Sequence, residues 1–248
     1  MRALVVGGAS GIGAALAARQ RDDGLDVVVW DVIGERDMTC DVSDAAAVQR
    51  AMTETLDGGP APEVVTVCAG IGHAGLLTDA TPDEWDHVMG VNAKGSWLVM
   101  RAAAQALMAV GAPGSIVATS SVSAHIVDRN MGLYCASKAA LSMVVKVAAA
   151  EWGPSGIRVN AVGPGPTDTP MLGGTLPGTS WLEPVEGRTP MGRIGSPEEV
   201  ADAIVAMHGL GWVTGQVLDA DGGLGLASPV DSYGWVQARR NQPSSPPD

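Results

Sequence analysis

The fold of this 248-residue chain is decided by one stretch near its start, Leu4-Val5-Val6-Gly7-Gly8-Ala9-Ser10-Gly11-Ile12-Gly13. A short apolar run of the kind that forms a buried strand leads into a glycine-rich turn, and good helix formers follow. Glycines let backbone amides approach a pyrophosphate at a helix N-terminus, where the helix dipole favours an anion. The stretch therefore predicts a dinucleotide-binding turn, with candidate contacts at Gly7, Ser10, Gly11, Ile12 and Gly13.

An acidic residue follows the second apolar run. Asp31 lies 18 residues after Gly13, where a carboxylate can accept hydrogen bonds from the adenosine ribose of a dinucleotide. The same carboxylate would repel the 2′-phosphate of NADP, and neither Ser10 nor Val32 offers a cation to offset it. We therefore expect NAD as the cofactor. The competing interpretation is structural, with glycines that only allow a tight turn and an acid that only caps a loop.

Short apolar runs alternate with longer alanine-rich stretches along the chain. The runs that predict strands are 4–6, 27–30, 64–68, 115–119, 158–162 and 216–218. The stretches that predict helices are 14–21, 45–56, 84–108, 133–152 and 197–207. Strands that are apolar along their whole length are typical of a parallel sheet covered by helices on both faces. Ligands of such a sheet bind at the carboxyl ends of its strands.

Composition limits the class of protein. The chain has 27 acidic and 15 basic side chains and a formal net charge of −12, which argues against nucleic-acid binding. With 46% hydrophobic and 17% charged residues, it is too apolar for intrinsic disorder and can bury one large core. We find neither a secretory signal nor about 18 uninterrupted apolar residues, so we expect a cytoplasmic protein without a membrane span. Three widely spaced cysteines fit a reducing compartment.

Tyr134 and Lys138 lie one turn apart near the start of the predicted helix 133–152, so they share a helical face. A free tyrosine has a pKa near 10, and acid/base work near pH 7 requires that its anion be stabilised by about 3 to 4 kcal/mol. An ammonium about 4 Å away supplies about 4 kcal/mol at an effective dielectric constant near 20. The pair is therefore a candidate acid/base centre in which the lysine lowers the pKa of the tyrosine.

Several independent motifs accompany this pair. They are the glycine turn, Asn92 within Val91-Asn92-Ala93-Lys94-Gly95, Ser121 thirteen residues before Tyr134, Asp41-Val42, Ala69-Gly70, Pro164-Gly165 with Thr169, and Asp221-Gly222-Gly223. On these motifs the chain resembles the short-chain dehydrogenase/reductase family up to about Gly225. The resemblance implies a single-domain α/β fold over 1–225, with a Rossmann-type doubly wound parallel sheet of about seven strands and a substrate loop near 169–195. A C-terminal tail covers 226–248.

The resemblance also implies a role for each motif residue. Tyr134 would be the acid/base, Lys138 would bind the nicotinamide ribose, Ser121 would hold the substrate oxygen, and Asn92 would position a water that passes protons to Lys138. Further implied cofactor contacts are Asp41, Val42, Ala69, Gly70, Pro164, Gly165, Thr167 and Thr169. The implied reaction is hydride transfer between NAD and a secondary alcohol or ketone.

The sequence departs from the family pattern at two places. Val6 replaces the threonine that usually opens the glycine motif, and Val67-Cys68-Ala69-Gly70 replaces the usual Asn-Asn-Ala-Gly. Both changes alter support for the loop after the fourth strand more than they alter the reacting groups.

The expected substrate pocket is apolar. Its walls, 71–77, 123–131 and 171–191, carry Leu76, Ile126, Met131, Met171, Leu172, Trp181 and Leu182. They suit a hydrophobic ketone or alcohol. We expect no bound metal, because the four histidines are scattered and no pair has the spacing of zinc ligands.

Two other functions fit parts of the pattern. An NADP-dependent 3-oxoacyl-carrier reductase of the same fold would prefer cations where this chain has Ser10 and Asp31. A non-enzymatic nucleotide sensor would not need the intact Ser121, Tyr134 and Lys138.

Two helical stretches are too apolar for a helix with one side in water. Residues 138–152 are polar only at Lys138, Ser142, Lys146 and Glu151, and residues 97–108 only at Arg101 and Gln105. We therefore predict a homo-oligomer, and the family resemblance implies a tetramer. In the tail, Tyr233 and Trp235 are the large apolar anchors, expected to dock on a neighbouring surface or over the cleft, while 243–248 should be mobile.

Overall fold

A computed structural model describes residues 1–175, 182–226 and 232–240 of the chain. Its strands are β1 (Arg2–Val6), β2 (Asp26–Asp31), β3 (Met38–Thr39), β4 (Val64–Val67), β5 (Gly114–Thr119), β6 (Ile157–Pro164) and β7 (Val217–Ala220). In the described ranges these seven strands form one parallel sheet in the order β3-β2-β1-β4-β5-β6-β7. The predicted parallel sheet of about seven strands is therefore confirmed.

Helices connect and cover the strands. They are α1 (Gly11–Asp22), α2 (Ala45–Asp57), α3 (Pro82–Met89), α4 (Ser96–Val110), α5 (Gly132–Trp152), α6 (Pro170–Thr175), α7 (Leu182–Arg188), α8 (Pro197–Gly209) and α9 (Ser232–Arg240). A π-helical turn, Gly90–Gly95, joins α3 to α4, and short 3-10 turns lie at Val122–Ala124, Gly153–Ser155 and Leu224–Leu226.

The sheet is buried on both faces, as the uninterrupted apolar strands predict. Within β1, Leu4 and Val6 belong to an apolar cluster formed with α2, α4 and α5. Val5, between them, belongs to a second cluster formed with α1 and α8. Successive side chains of a strand point to opposite faces, so the doubly wound arrangement follows directly from the sequence of β1.

Some elements differ from those predicted. The two-residue β3 was missed because it has no apolar run of its own, and α6 and α7 were missed inside the predicted substrate loop. The predicted helix 84–108 is interrupted by the π-helical turn. The tail contains α9, whereas the side chains of Tyr233 and Trp235 and the segment 243–248 lie outside what the structure describes.

Helix α5 is unusually apolar. Together with the turn that follows it, α5 forms the segment Gly132–Ser155, which has a mean hydropathy of 1.4. By length and composition alone, this segment could cross a membrane. A core helix of a globular protein passes the same test. Here Lys138 on α5 lines a cavity, and Leu141 and Val145 are buried against the sheet. These contacts explain the apolar character of one side of α5.

The register of the sheet brings the strand ends to one level. Val6 at the end of β1 pairs with Trp30 of β2 and with Val67 of β4, and Val67 pairs in turn with Ala118 of β5. The segments that follow these strands therefore meet at one edge of the sheet, where a parallel α/β fold binds its ligands.

Candidate active site

A cavity of about 810 Å³ lies at this edge of the sheet. The predicted cofactor contacts that line it are Gly7, Ser10, Gly11, Ile12, Gly13, Asp31, Asp41, Val42, Ala69, Gly70, Tyr134, Lys138, Pro164, Gly165, Thr167 and Thr169. Of the predicted catalytic residues, Ser121, Tyr134 and Lys138 line the same cavity, whereas Asn92 does not. The fold thus brings the glycine turn and the candidate acid/base pair into one space.

The glycine turn passes too close to its neighbours to carry side chains. A Cβ on Gly7, whose φ is +77°, would lie 2.4 Å from the backbone nitrogen of Ala69. A Cβ on Gly13 would lie 2.0 Å from the carbonyl oxygen of Gly7. The side chain of Ser10 makes no capping hydrogen bond to α1, so the first amides of this helix remain available to an anion. These residues fit the pyrophosphate of a dinucleotide.

Asp31 holds the turn against β2. Its Oδ2 accepts a hydrogen bond from the backbone amide of Ala9 at 2.9 Å, and its Oδ1 accepts from the amides of Val32 and Ile33 at 2.7 and 3.2 Å. A carboxylate has about four acceptor positions, so capacity remains for a ribose hydroxyl. The structural and the ligand-binding interpretations of Asp31 are therefore compatible.

The basic residue nearest to Asp31 in sequence is committed elsewhere. Arg36 donates from Nε to Thr39 Oγ1 at 2.9 Å and from Nη1 to the carbonyl oxygen of Gly34 at 2.7 Å. It does not line the cavity. The lysine and arginine side chains that do, among the described residues, are Arg129, Lys138 and Arg188.

Ser121, Tyr134 and Lys138 form a compact group. The Ser121 hydroxyl lies close enough to the Tyr134 hydroxyl to lower the pKa of the tyrosine. Lys138 is buried, its Nζ lies 5.7 Å from the centre of the Tyr134 ring, and it donates to the carbonyl oxygen of Thr119 at 2.8 Å. Two neighbouring hydroxyls can hold one substrate oxygen between them, with a cation close behind.

The pKa values of this group differ from expectation. Burial raises the pKa of Tyr134, the nearby carboxylate of Asp128 raises it further, and the hydrogen bond from Ser121 opposes the rise. Burial lowers the pKa of Lys138 to about 8. Desolvation is therefore the largest influence on the pKa of Tyr134. That Lys138, together with the positive nicotinamide ring of an oxidised cofactor, lowers this pKa stays a prediction. In the described arrangement Tyr134 is a protonated donor at neutral pH.

Asn92 lies behind the cavity wall in the π-helical turn and is fully buried. Its Oδ1 accepts from the amide of Ile71 at 2.8 Å, and its Nδ2 donates to the carbonyl of Ile71 at 2.9 Å and to Ser137 Oγ at 3.0 Å. The geometry therefore makes Asn92 a positioning residue that ties the wall at Ile71 to α5. Its role in holding a water stays a prediction.

Backbone hydrogen bonds support the loop where the family pattern is absent. The amides of Cys68 and Ala69 donate to the carbonyl of Val6 at 2.7 and 3.0 Å. The Cys68 thiol accepts a hydrogen bond from Thr119 Oγ1 at 3.4 Å, and burial raises its pKa to about 11. Cys68 is therefore a neutral packing residue at neutral pH, and the loop keeps its connection to β1 without asparagine side chains.

The substrate side of the cavity is only partly as predicted. Ile126, Met131, Met171 and Leu172 line it, whereas Leu76 lines an adjoining groove. Trp181 and the side chain of Leu182 lie outside the described part of the chain.

The sequence-based prediction of the substrate side missed three charged residues. Asp128, Arg129 and Arg188 all line the cavity. The signal that could have located the first two is their position as the charged pair within the predicted wall 123–131.

Comparisons with known proteins agree with this geometry. A family model described as enoyl-(acyl carrier protein) reductase matches residues 7–225. The (3R)-3-hydroxyacyl-CoA dehydrogenase of Canis lupus familiaris is 37% identical over 251 residues, which cover 90% of this chain and 95% of the relative. The 2,5-dichloro-2,5-cyclohexadiene-1,4-diol dehydrogenase LinX of Sphingobium indicum is 31% identical over 239 residues, or 89% of this chain and 94% of the relative.

Solved structures give the same result. Ligand-free aldohexose dehydrogenase of Thermoplasma acidophilum superposes with a TM-score of 0.86 at 28% identity, covering 93% of this chain and 96% of that one. An actinorhodin polyketide ketoreductase with NADPH superposes with a TM-score of 0.82 at 28% identity, covering 90% and 96%. On the match over residues 7–225 and on these relatives, the chain belongs to the short-chain dehydrogenase/reductase family and is an oxidoreductase that uses a nicotinamide cofactor.

Proposed function

We propose that the protein transfers a hydride between NAD and a hydrophobic secondary alcohol or ketone. The observation that carries this proposal is the shared cavity, in which the neighbouring hydroxyls of Ser121 and Tyr134 and the buried Lys138 lie with the glycine turn. The two relatives named for a hydroxyacyl thioester and for a cyclohexadiene-diol support a substrate with a CH–OH group.

The residues of the cavity divide the work. A bound nicotinamide supplies the hydride chemistry. Ser121 and Tyr134 hold the substrate oxygen, and the raised pKa of Tyr134 keeps its proton available for transfer to the oxygen during ketone reduction. Lys138, whose ammonium donates to the carbonyl of Thr119, would bind the nicotinamide ribose and stabilise the phenolate that proton transfer leaves behind.

Electrostatics favour NAD over NADP. Two unit charges 5 Å apart repel by about 1.7 kcal/mol at an effective dielectric constant near 40, and hydrogen bonds lost between Asp31 and the ribose add about 1 to 3 kcal/mol. Among the described residues, no lysine or arginine lines the adenosine side of the cavity, and Arg36 lies outside the lining, where it donates to Thr39 and Gly34. We expect at least about a hundredfold preference in kcat/KM. The same reasoning opposes the alternative function, an NADP-dependent 3-oxoacyl-carrier reductase, despite the description of the family model.

The test is a comparison of kcat/KM for NAD and NADP with the cyclic secondary alcohol that is oxidised fastest. Replacing Asp31→Ser together with Val32→Arg should narrow or reverse the ratio. The control is Glu35→Ser, which removes a negative charge from an exposed residue outside the cavity lining and should leave the ratio unchanged. A wild-type ratio near one, or a preference for NADP, would contradict the proposed role of Asp31.

A further inference from the structure

Two arginines, Arg129 and Arg188, line the substrate side of the cavity and are called the arginine pair below. Arg129 lies in the loop before α5, and Arg188 is the last residue of α7. Both are exposed although they line the cavity, so they lie where it opens to solvent. The pair therefore brings two positive charges from separate elements to the solvent-exposed part of the cavity lining.

The guanidinium groups of the pair have neither a hydrogen bond nor an ion pair with any residue that the structure describes. Arg193, close to Arg188 in sequence, shows the contrast, because its guanidinium donates to both carboxylate oxygens of Glu199 at 2.7 and 2.6 Å. The chain has 27 acidic residues for 15 basic ones, so acidic partners are plentiful. With respect to the described part of the chain, the donors of both guanidinium groups are therefore available to a ligand.

Local hydrogen bonds fix the backbone that carries Arg129. Its neighbour Asp128 accepts from Ser123 Oγ at 2.7 Å. On the other side, Asn130 adopts a left-handed conformation with φ of 69°, and its carbonyl accepts from the amide of Gly75 at 2.7 Å. Asp128 also lies close enough to Tyr134 to raise the pKa of that hydroxyl. The backbone at Arg129 is therefore fixed on both sides, in a loop that also brings Asp128 near the Tyr134 hydroxyl.

The backbone after Arg188 is fixed as well. Thr189 is buried, and its amide and Oγ1 both donate to the carbonyl of Val185, at 3.0 and 2.9 Å. The amide of Met191 donates to the carbonyl of Gly222 at 3.2 Å. This bond anchors the segment after Arg188 to the turn that follows β7. Arg188 thus extends from an anchored helix end, and Val185 of the same helix lines the cavity beside it.

The charges on this side of the cavity do not balance. Among the described residues the acidic groups that line it are Asp31, Asp41 and Asp128, and the first two belong to the adenosine side. The carboxylate of Asp128 already accepts the hydrogen bond from Ser123. The substrate side therefore combines an apolar wall with an excess of positive charge, within a chain whose net charge is −12.

We infer that the substrate is an amphipathic ketone or alcohol whose apolar body ends in an anionic oxygen group, bound by the arginine pair. This inference rests on the proposed function and narrows its substrate class. Guanidinium groups suit carboxylate and phosphate oxygens because their fixed donors match two oxygens at once. The anion could be the carboxylate of a free acid or a phosphate of a carrier thioester.

The test compares three substrates with the same ketone chain: 4-oxodecanoate, its neutral methyl ester and its coenzyme A thioester. The variants are Arg129→Gln, Arg188→Gln and the double variant, with Arg193→Gln as the matched control because Arg193 is paired with Glu199 and does not line the cavity. Reduction is followed by nicotinamide absorbance. Binding of decanoate, decanamide and decanoyl coenzyme A is measured by calorimetry, which does not depend on turnover.

We expect the wild type to favour at least one anion over the methyl ester by tenfold or more in kcat/KM, chiefly through KM. The double variant should lose this preference, each single variant should lose part of it, and Arg193→Gln should keep it. Added salt should reduce the preference. The anion that shows the arginine-dependent effect identifies the source of the charge, carboxylate or phosphate.

Two results have different meanings. If the methyl ester is reduced as efficiently as both anions, or if the double variant keeps the preference, the inference is wrong and the proposed function stands. If no ketone is reduced with either cofactor, the proposed function is wrong, and the inference is then judged by binding. Equal affinity of the double variant and the wild type for decanoate and for decanoyl coenzyme A would overturn it.

Discussion

Burial acts on Tyr134 and Lys138 in opposite directions and favours the neutral form of each. It raises the pKa of the tyrosine and lowers that of the lysine to about 8. The Lys138 ammonium donates to the Thr119 carbonyl and lies near the Tyr134 ring. It can stabilise the Tyr134 phenolate only while it keeps its proton. The two residues therefore act as a unit, and their replacement should have different consequences for rate and for binding.

Tyr134→Phe removes the hydroxyl and keeps the ring. We expect the fold and the affinity for the cofactor to remain, and kcat to fall by at least about a hundredfold, the usual effect of losing a general acid or base. Steady-state kinetics with cofactor binding measured by fluorescence test this. Turnover above about a tenth of the wild-type value would show that another group carries the proton.

Lys138→Met should have a broader effect. The residue lines the cavity as a buried cation, so its loss should weaken cofactor binding as well as reduce kcat. A variant that binds the cofactor with wild-type affinity and loses only rate would contradict the role of Lys138 at the nicotinamide ribose.

The sequence was enough to place the functional residues that follow strands at the cavity, but not those that lie in loops and short helices. Gly13, Asp31 and Ser121 follow apolar runs whose ends must meet at one edge of a parallel sheet, so sequence spacing is enough to place them. Arg129 and Arg188 lie on a loop and on a short helix, and the path of such segments depends on tertiary contacts such as that of Asn130 with Gly75.

At the scale of elements, the segment from α3 to α4 shows where periodicity misleads. Residues 84–108 read as one helix because apolar residues recur through them, yet the structure contains a π-helical turn at Gly90–Gly95. A Cβ on Gly95 would lie 2.7 Å from Val42 Cγ2, so the turn approaches its neighbours closely. The widened turn carries Asn92, and π-helical turns occur often at functional sites.

Asn92→Ala should expose the importance of this turn. Removing the amide leaves the partly buried backbone amide and carbonyl of Ile71 without their partner, which costs about 1 to 3 kcal/mol of unfolding free energy. Because Ile71 and Gly70 form the cavity wall, we also expect a higher KM for the cofactor. Urea unfolding and steady-state kinetics measure the two effects.

Ser96→Ala is the control for this prediction. Ser96 Oγ donates to the carbonyl of Asn92 at 2.8 Å, so its loss changes the same turn without touching the cavity wall. We expect a small loss of stability and an unchanged KM. An unchanged KM in Asn92→Ala too would mean that the wall does not depend on the asparagine.

At the scale of the whole molecule, one buried histidine links stability to pH. His208 on α8 has Nε2 2.9 Å from Thr66 Oγ1 of β4 and Nδ1 2.9 Å from Ser115 Oγ of β5. Burial, with the nearby Arg158 guanidinium, lowers its pKa to about 3. The unfolded chain therefore binds a proton near pH 6.5 that the folded chain does not bind, so stability should be lost as pH falls from about 6.5 towards 3.

His208→Gln should reduce this pH dependence, because glutamine can hydrogen-bond without titrating. The histidine alone should account for a loss of about 2 kcal/mol of unfolding free energy between pH 7 and pH 5 in the wild type. Urea unfolding at the two pH values, at one fixed protein concentration, measures it. His87→Gln at an exposed position should leave the pH dependence unchanged, and an equal dependence in His208→Gln would assign it to other groups.

The outer faces of α4 and α5 bear on how copies of the molecule associate. The exposed apolar side chains on α5 include Met143 and Val147, one turn apart and 59% and 48% exposed. On α4, Trp97 and Met108 are each 39% exposed, and Arg101 covers the Trp97 ring at 5.6 Å. The inner sides of α4 and α5 pack against the sheet. The core therefore explains the apolar residues on the inner sides of these helices, but not those on their outer faces.

We therefore expect these faces to pack against a second copy of the chain, and a tetramer in solution. Val147→Glu places a charge in the expected contact and should reduce the mass measured by light scattering at micromolar concentration. Leu56→Glu is the matched control, because Leu56 is 38% exposed on α2 and does not belong to the exposed faces of α4 and α5, so it should leave the mass unchanged. A monomeric wild type would contradict the prediction outright. An oligomer whose mass does not respond to Val147→Glu would move the contact to another surface, such as the one around the fully exposed Trp212 near β7.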